Sequence, residues 1–393
     1  MALPMLTRIK AQNLLSFGLE GIDLELPALT ILVGPNGSGK SNLLETIGLL
    51  SSAPQDIATP IRAHGGIHNW IWRGSSEMWI LGSVEVELSN GAFAVDLHHK
   101  IGLANVAQRV GILTENIRYA ETARGGEVRE FVWDRKPGSV TRKTIVSGAE
   151  QSAEERPVEI DKSVLSEVKD PIQFPELQTI SRFYERISLY RQWEFGPKSA
   201  IRQPQRIDVK PNPLMEDFSN LGMFLNRFRQ NPQAKMELFD RLGDLYSGLR
   251  DFELNIEGGT VQIFFTEGEF SIPATRLSDG SLRYLCLLAI LLDPEPPSLV
   301  CIEEPELGFH PDLIPKLADL LVDASSRCQM IVTTHSDILV DALSDRPESV
   351  VVCEKHDGQT SMRRLDRSDL AVWLEKYRLG ELWTRGDLGG VRW

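Results

Sequence analysis

The chain has 393 residues, 42% of them hydrophobic and 25% charged, an ordinary globular composition with room for a large core and two lobes. Its formal net charge of −13 excludes a surface that grips nucleic acid or anionic membrane unselectively, though not a local basic groove. Cys286, Cys301, Cys328 and Cys353 lie far apart, without zinc-ligand or redox spacing, and read as buried thiols of a reducing compartment. The opening MALPMLTRIK lacks the apolar run of a signal peptide. The longest apolar stretch, Tyr284–Leu292, falls far short of the roughly 20 residues that span a bilayer. These features predict a cytoplasmic protein with no membrane partner.

In chain order, residues 5–33 read as short strands ending in LTILV, followed by a Gly-rich turn and the helix SNLLETIGLL. Residues 78–147 alternate in polarity, and the turn pairs Asn90–Gly91 and Pro137–Gly138 predict antiparallel hairpins. Residues 148–157, GAEQSAEERP, read as a polar loop or linker. Between Arg182 and Lys210 seven basic residues stand against three acidic ones, with Tyr184, Tyr190 and Trp193 interleaved. That segment suits stacking and backbone contact with DNA, and a solvated face accounts for it equally well. A helical pattern covers about 214–249, and DFELNIEGGTVQIFFT reads as a hairpin. From 277 onward helices alternate with the apolar strands SLVCIE, QMIVTT and SVVVCE, the mark of a mostly parallel α/β sheet.

Three local strings carry chemistry. GPNGSGKS, residues 34–41, matches G-x-x-x-x-G-K-[ST] between a β-branched strand and a helix. Gly34, Pro35, Asn36, Gly37, Ser38 and Gly39 form a loop whose glycines turn backbone N–H groups inward onto phosphate. The helix that begins there, with Asn42 in its first turn, points its positive end at the same charge. Lys40 neutralises the β- and γ-phosphates, and Ser41 offers its hydroxyl to Mg²⁺. An apolar strand then ends in Glu303 and Glu304: the first suits a metal-side acid, the second a base for the attacking water. His335 follows the strand QMIVTT, where a parallel sheet brings it beside the same phosphates.

With LSDGS at 277–281, the order P-loop, LSDGS, EE, His resembles the ATP-binding-cassette type of ATPase. The branch is the SMC/RecF-like one, close to compact bacterial RecF-like ATPases and to the ATPase domains of OLD-type proteins. The likeness covers about 1–50 and 270–345 and is weak between. It implies an α/β P-loop NTPase head with a mostly parallel sheet core, an antiparallel β lobe and a helical subdomain. It also implies ATP and Mg²⁺ as cofactors, with Lys40, Glu304 and His335 catalytic. In that family the signature Ser and Gly, here Ser278 and Gly280, contact the γ-phosphate held by a second subunit, so ATP joins two copies. Gln192, after ISLY, is the candidate for the family's metal-side glutamine, although an exposed glutamine beside aromatic core residues fits equally well. The common signature is LSGGQ; here Asp279 replaces the first glycine of the pair and Ser281 the glutamine. Glu303 stands where an Asp is usual, and His310 in PELGFH where many relatives carry Asp.

The organisation expected is an N-terminal ATPase lobe over 1–150, an inserted helical subdomain with the basic segment over 151–250, a C-terminal ATPase lobe over 251–345 and a tail over 346–393. The resemblance implies an ATP-driven clamp in DNA repair, recombination or phage defence. The other reading is an ATP-gated module that regulates a partner nuclease or toxin without acting on DNA itself.

Overall fold

Where the sequence runs apolar without interruption, the strands are buried on both faces. The structure is a computed structural model that describes residues 5–74, 81–90, 93–122, 128–245 and 248–390. Strands β1 (Met5–Gln12), β2 (Ile22–Glu25) and β3 (Leu29–Val33) lead into helix α1 (Lys40–Ser52). All five residues of β3 are buried. Leu32 joins a core with α1, while Ile31 and Val33 join a second core on the opposite face. Two-sided burial explains why LTILV shows no polar alternation.

Short helices α2 (Ala58–Ala63) and α3 (Ile67–Trp70) precede an antiparallel meander. Its strands are β4 (Gly82–Asn90), β5 (Phe93–Val106), β6 (Arg109–Thr122), β7 (Val128–Lys136), β8 (Ser139–Val146) and β9 (Ala149–Pro157). With β1 and β2 they make one sheet in the order β2-β1-β4-β5-β6-β7-β8-β9. The hairpin turn expected at Pro137–Gly138 joins β7 to β8, with Lys136 paired to Ser139. The turn expected at Asn90–Gly91 extends outside the described residues. The stretch 148–157 is not a loop: β9 pairs with β8 along its length and carries the sheet across the boundary expected at 150. Nearly every residue of β9 is exposed, so this edge strand has no apolar face to betray it, and its glutamates suit an edge that must not pair further.

Helices α4 (Val164–Glu167) and α5 (Pro175–Glu185) pack the meander onto the nucleotide-side core, and β10 (Ile187–Tyr190) follows. The short β11 (Gln205–Arg206) comes before helices α6 (Leu221–Gln230) and α7 (Pro232–Leu242). The helical pattern therefore stops short of 249, where Leu249 opens β12 (Leu249–Glu257). Strand β13 (Thr260–Glu267) completes the expected hairpin, and β14 (Phe270–Pro273) adds to it. Helix α8 (Asp279–Leu291), β15 (Leu299–Glu303), α9 (Ile314–Ser325), β16 (Gln329–Thr334) and α10 (Asp337–Ala342) follow in the predicted alternation. Strands β17 (Val350–His356) and β18 (Gln359–Arg364) and helices α11 (Arg367–Leu374) and α12 (Leu379–Arg385) end the described chain.

The central sheet has the order β10-β15-β16-β3-β17-β18, parallel throughout except for β18. Helices α8 and α9 cover one face; α1, α5 and the meander cover the other. Because β10, β15, β16 and β3 are parallel neighbours, their carboxyl ends lie along one edge, the place where open α/β sheets bind ligands. Strand β10 comes from the middle of the chain and β17 from the tail, so segments from across the sequence build this one layer. No helix among the described residues is long and apolar enough to cross a membrane.

Candidate nucleotide site

The P-loop leaves β3 and wraps into α1. A Cβ on Gly34 would lie 2.2 Å from the Cys353 carbonyl oxygen, so only glycine lets the loop pass β17. Gly39 has φ +98°, and a Cβ there would lie 2.1 Å from Thr360 Oγ1. Gly39 is the N-cap of α1, and no side chain caps that first turn, which leaves the positive helix end to a ligand. Lys40 folds back, its Nζ donating to the carbonyls of Gly34 (2.8 Å) and Pro35 (3.0 Å). Burial holds the Lys40 ammonium below its ordinary value. Asn36 and Gly37 are exposed at the loop tip. Asn42 turns away, its amide donating to Ser16 Oγ at 2.6 Å, so its side chain braces the loop rather than facing a phosphate.

Glu303 ends β15, and the Ser41 hydroxyl donates to its carboxylate: the two groups expected to share one cation touch each other. Arg191, just past β10, bridges Glu303 (3.3 Å) and Glu45 of α1 (3.0 Å). Burial alone would lower the Arg191 guanidinium; the bonds to Glu45 and Glu303 outweigh it and raise it instead. Trp193 Nε1 donates to the Glu303 carbonyl at 2.8 Å. Gln192 lines a cavity of about 280 Å³ that also holds Glu45, Arg191, Glu216 and Glu303, so the candidate glutamine reaches the carboxylate's surroundings.

Glu304 stands in the left-handed region at φ +47°, an uncommon setting for a side chain larger than glycine. Its N–H donates to the Thr333 carbonyl (3.0 Å), and its own carbonyl accepts from Arg283 of α8 (3.1 Å). The carboxylate lies 3.0 Å from His335 Nε2. The sequence-level pair Glu304 and His335 is therefore a contacting pair at the ends of neighbouring strands. Behind it Glu306 accepts from the Thr334 hydroxyl (2.5 Å) and the His335 N–H (3.1 Å). His310 is exposed and caps the next 3₁₀ turn, where its Nδ1 accepts from the Asp312 N–H at 3.4 Å.

Ser278 and Gly280 lie elsewhere. Ser278 is the N-cap of α8, as its sequence predicts, and its Oγ accepts from the Ser281 N–H at 3.1 Å. Gly280 lines a separate cavity of about 860 Å³ with Trp193, Phe195, Asp279, Arg283 and Leu307, and no P-loop residue lines it. The basic segment is divided: Arg191 and Arg202 are half-buried, whereas Arg182, Arg186, Lys198, Arg206 and Lys210 are exposed. Tyr184 and Tyr190 are buried, so neither can stack a base, while Arg191, Arg202 and Arg206 are paired to carboxylates.

The residues fit a nucleotide. The Ser38 hydroxyl is buried in the loop and has no hydrogen-bond partner among the described residues, as a phosphate-facing donor requires. Ser41 and Glu303 supply the hard oxygens that Mg²⁺ prefers. Sequence reading missed Glu45, Arg191, Arg283 and Glu306. Only Glu306 had a local signal, as the third acid of EEPE; the others are brought in by tertiary contacts.

Fold and site together define a P-loop NTPase with the fold of SMC heads. Residues 29–78 and 152–341, more than half of the chain, match the family described as "AAA domain, putative AbiEii toxin, Type IV TA system", and the protein belongs to that family. Among solved structures, it is similar to an SMC head bound to the C-winged helix domain of ScpA. The identity is 15% and the TM-score 0.56, covering 94% of this chain and 99% of that one. It is also similar to a Pyrococcus furiosus SMC head with an extended coiled coil, bound to the C-terminal domain of ScpA. Here identity is 14% and TM-score 0.54, covering 95% and 99%. No curated protein matches the chain.

Proposed function

We propose that the protein binds and hydrolyses ATP with Mg²⁺ between two copies of itself, and that closing and opening this dimer gates a partner. The observation that carries the reading is the meeting of Ser41 with Glu303 and of Glu304 with His335 beside an uncapped P-loop helix. Lys40, released from the Gly34 and Pro35 carbonyls, binds the terminal phosphates, and the loop N–H groups hold the rest of the chain of phosphates. Ser41 and Glu303, with Gln192 nearby, hold the cation; when bound it neutralises charge on the phosphates. Glu304 takes the proton of the attacking water, and His335 orients that carboxylate. The dimer is supported by the placement of Gly280 at a cavity that this chain's own P-loop does not line.

Of the two biological readings, the gated module draws support from the burial of Tyr184 and Tyr190 and from the toxin–antitoxin description of the family. A clamp on DNA in repair, recombination or phage defence remains the second reading, supported by the likeness to SMC heads. Glu304→Gln tests the core of the proposal. Hydrolysis falls about 10²- to 10⁴-fold, while ATP and Mg²⁺ convert the variant to a dimer by mass. A monomer under those conditions rules out the sandwich. DNA or a second polypeptide retained by the trapped dimer separates the two biological readings.

A further inference from the structure

Asp279 is the oddity of the signature loop: it puts a carboxylate on the first residue of α8, beside the Ser278 and Gly280 that are to meet a phosphate. Acids are favoured at a helix start, but an unpaired one here repels an incoming phosphate. The structure answers the charge. Arg202 Nη2 donates to Asp279 Oδ1 at 2.5 Å, and its other nitrogens donate to the carbonyls of Thr275 (2.7 Å) and Phe195 (2.9 Å). Arg202 is 11% exposed and Asp279 68%, so the guanidinium is fixed from within and the carboxylate faces outward. A guanidinium at a helix N-terminus opposes the dipole; Asp279 is what makes its place there favourable.

The same segment reaches the other way. Arg191 and Trp193 hold Glu303 by its carboxylate and its carbonyl. Trp193 also lies under the Arg283 guanidinium, 4.9 Å from ring centroid to Cζ, and Arg283 holds the Glu304 carbonyl. Residues 191–202 therefore touch the Glu303 carboxylate and, through Arg283, the Glu304 backbone at one end, and the start of the signature helix at the other.

We propose that Arg202 is a positioning residue for the signature loop: it neutralises Asp279 and fixes the start of α8 to the segment that holds Glu303. The charge balance lets a loop with an acid at this position accept a phosphate from a second copy. The mechanical link makes the state of the carboxylates in one chain and the signature it presents to the other move together. The inference rests on the dimer reading above, and it concerns an Asp that the common LSGGQ signature lacks.

The test uses the full chain carrying Glu304→Gln, with ATP and Mg²⁺ at low salt. Arg202→Ala raises the protein concentration for half-dimerisation roughly tenfold, while binding of a fluorescent ATP analogue to the monomer stays the same. Adding Asp279→Gly to Arg202→Ala restores dimerisation, because the unpaired carboxylate is gone. Hydrogen exchange on the monomer gives a readout independent of the dimer: in Arg202→Ala the Ser281 and Leu282 amides exchange faster. A parent that stays monomeric refutes the dimer reading, and the exchange rates then still judge the clamp. A dimerising parent with an unchanged Arg202→Ala midpoint, or no recovery on adding Asp279→Gly, overturns the role of Arg202. So does unchanged exchange at Ser281 and Leu282.

Discussion

Glu115 in the meander and Glu306 at the nucleotide edge are both buried carboxyls, and their surroundings drive them in opposite directions. Burial raises both. At Glu115 the hydrogen bonds win: one oxygen receives His99 Nε2 (3.3 Å) and the Ser163 hydroxyl, the other Arg135 Nη1 (3.4 Å) and the Val164 N–H (2.9 Å). Its carboxyl ends below the ordinary value of 4.5. At Glu306 only one oxygen is served, by Thr334 and His335; the other has no partner among the described residues, and burial leaves the carboxyl above 4.5. Donors and the sign of the neighbouring charge, not depth alone, set the direction: His99 lowers Glu115, whereas Glu304 raises Glu306. The meander serves both oxygens of this carboxylate, whereas the edge that carries the chemistry leaves one oxygen of Glu306 open.

The largest expected effect is on the settled side. Glu115→Gln strips the charge that Arg135 and His99 face in the interior and costs about 3–5 kcal/mol of stability at pH 7 by urea unfolding. The pH dependence follows from the depressed value. Glu115 contributes stability above its unfolded value of 4.5 and loses it as pH falls through the lower folded value. Parent and variant should therefore converge in acid; a gap that stays constant down to pH 3 would mean that Glu115 acts by shape alone.

Glu306→Gln should run the other way. A carboxyl raised in the folded state gives its full contribution below 4.5 and loses it as pH rises through the folded value. The parent thus loses stability relative to the glutamine variant as pH rises from 4.5 through the folded value, by about 1–2 kcal/mol. Thermal unfolding of the two proteins across that range checks the sign. Parallel curves would place Glu306 with Glu115 and erase the contrast.

What could be read from sequence follows the same division. GPNGSGKS, Glu303, Glu304 and His335 are short strings after apolar strands, and parallel neighbours necessarily bring strand ends together, so the core of the site was legible. Ser278 was legible as a cap because N-capping is local. Arg191 reaching Glu45 and Arg202 reaching Asp279 depend on how a middle segment lies across the sheet, and no local spacing encodes that. Tyr184 and Tyr190 looked like stacking residues because aromatics among arginines read alike at a surface and at a core edge. Strand β9 escaped notice because it is exposed on both faces, so neither a helical nor a strand period is imposed on its side chains.

The smallest effect is expected at Ser38, and Ser163 gives its measure. Ser163 donates to Glu115, and Ser163→Ala leaves that buried carboxylate short of a donor, which costs about 1–3 kcal/mol of stability. The Ser38 hydroxyl is buried without a partner among the described residues, so Ser38→Ala removes an unmet polar group and shifts stability by no more than about 0.5 kcal/mol. Its effect belongs in binding: with a phosphate as its missing acceptor, ATP affinity measured by calorimetry drops several-fold although the apo protein melts unchanged. If Ser38→Ala instead destabilises the apo protein as Ser163→Ala does, the hydroxyl is part of the fold. The P-loop would then be as settled as the meander, and the contrast between the two regions would rest on Glu306 alone.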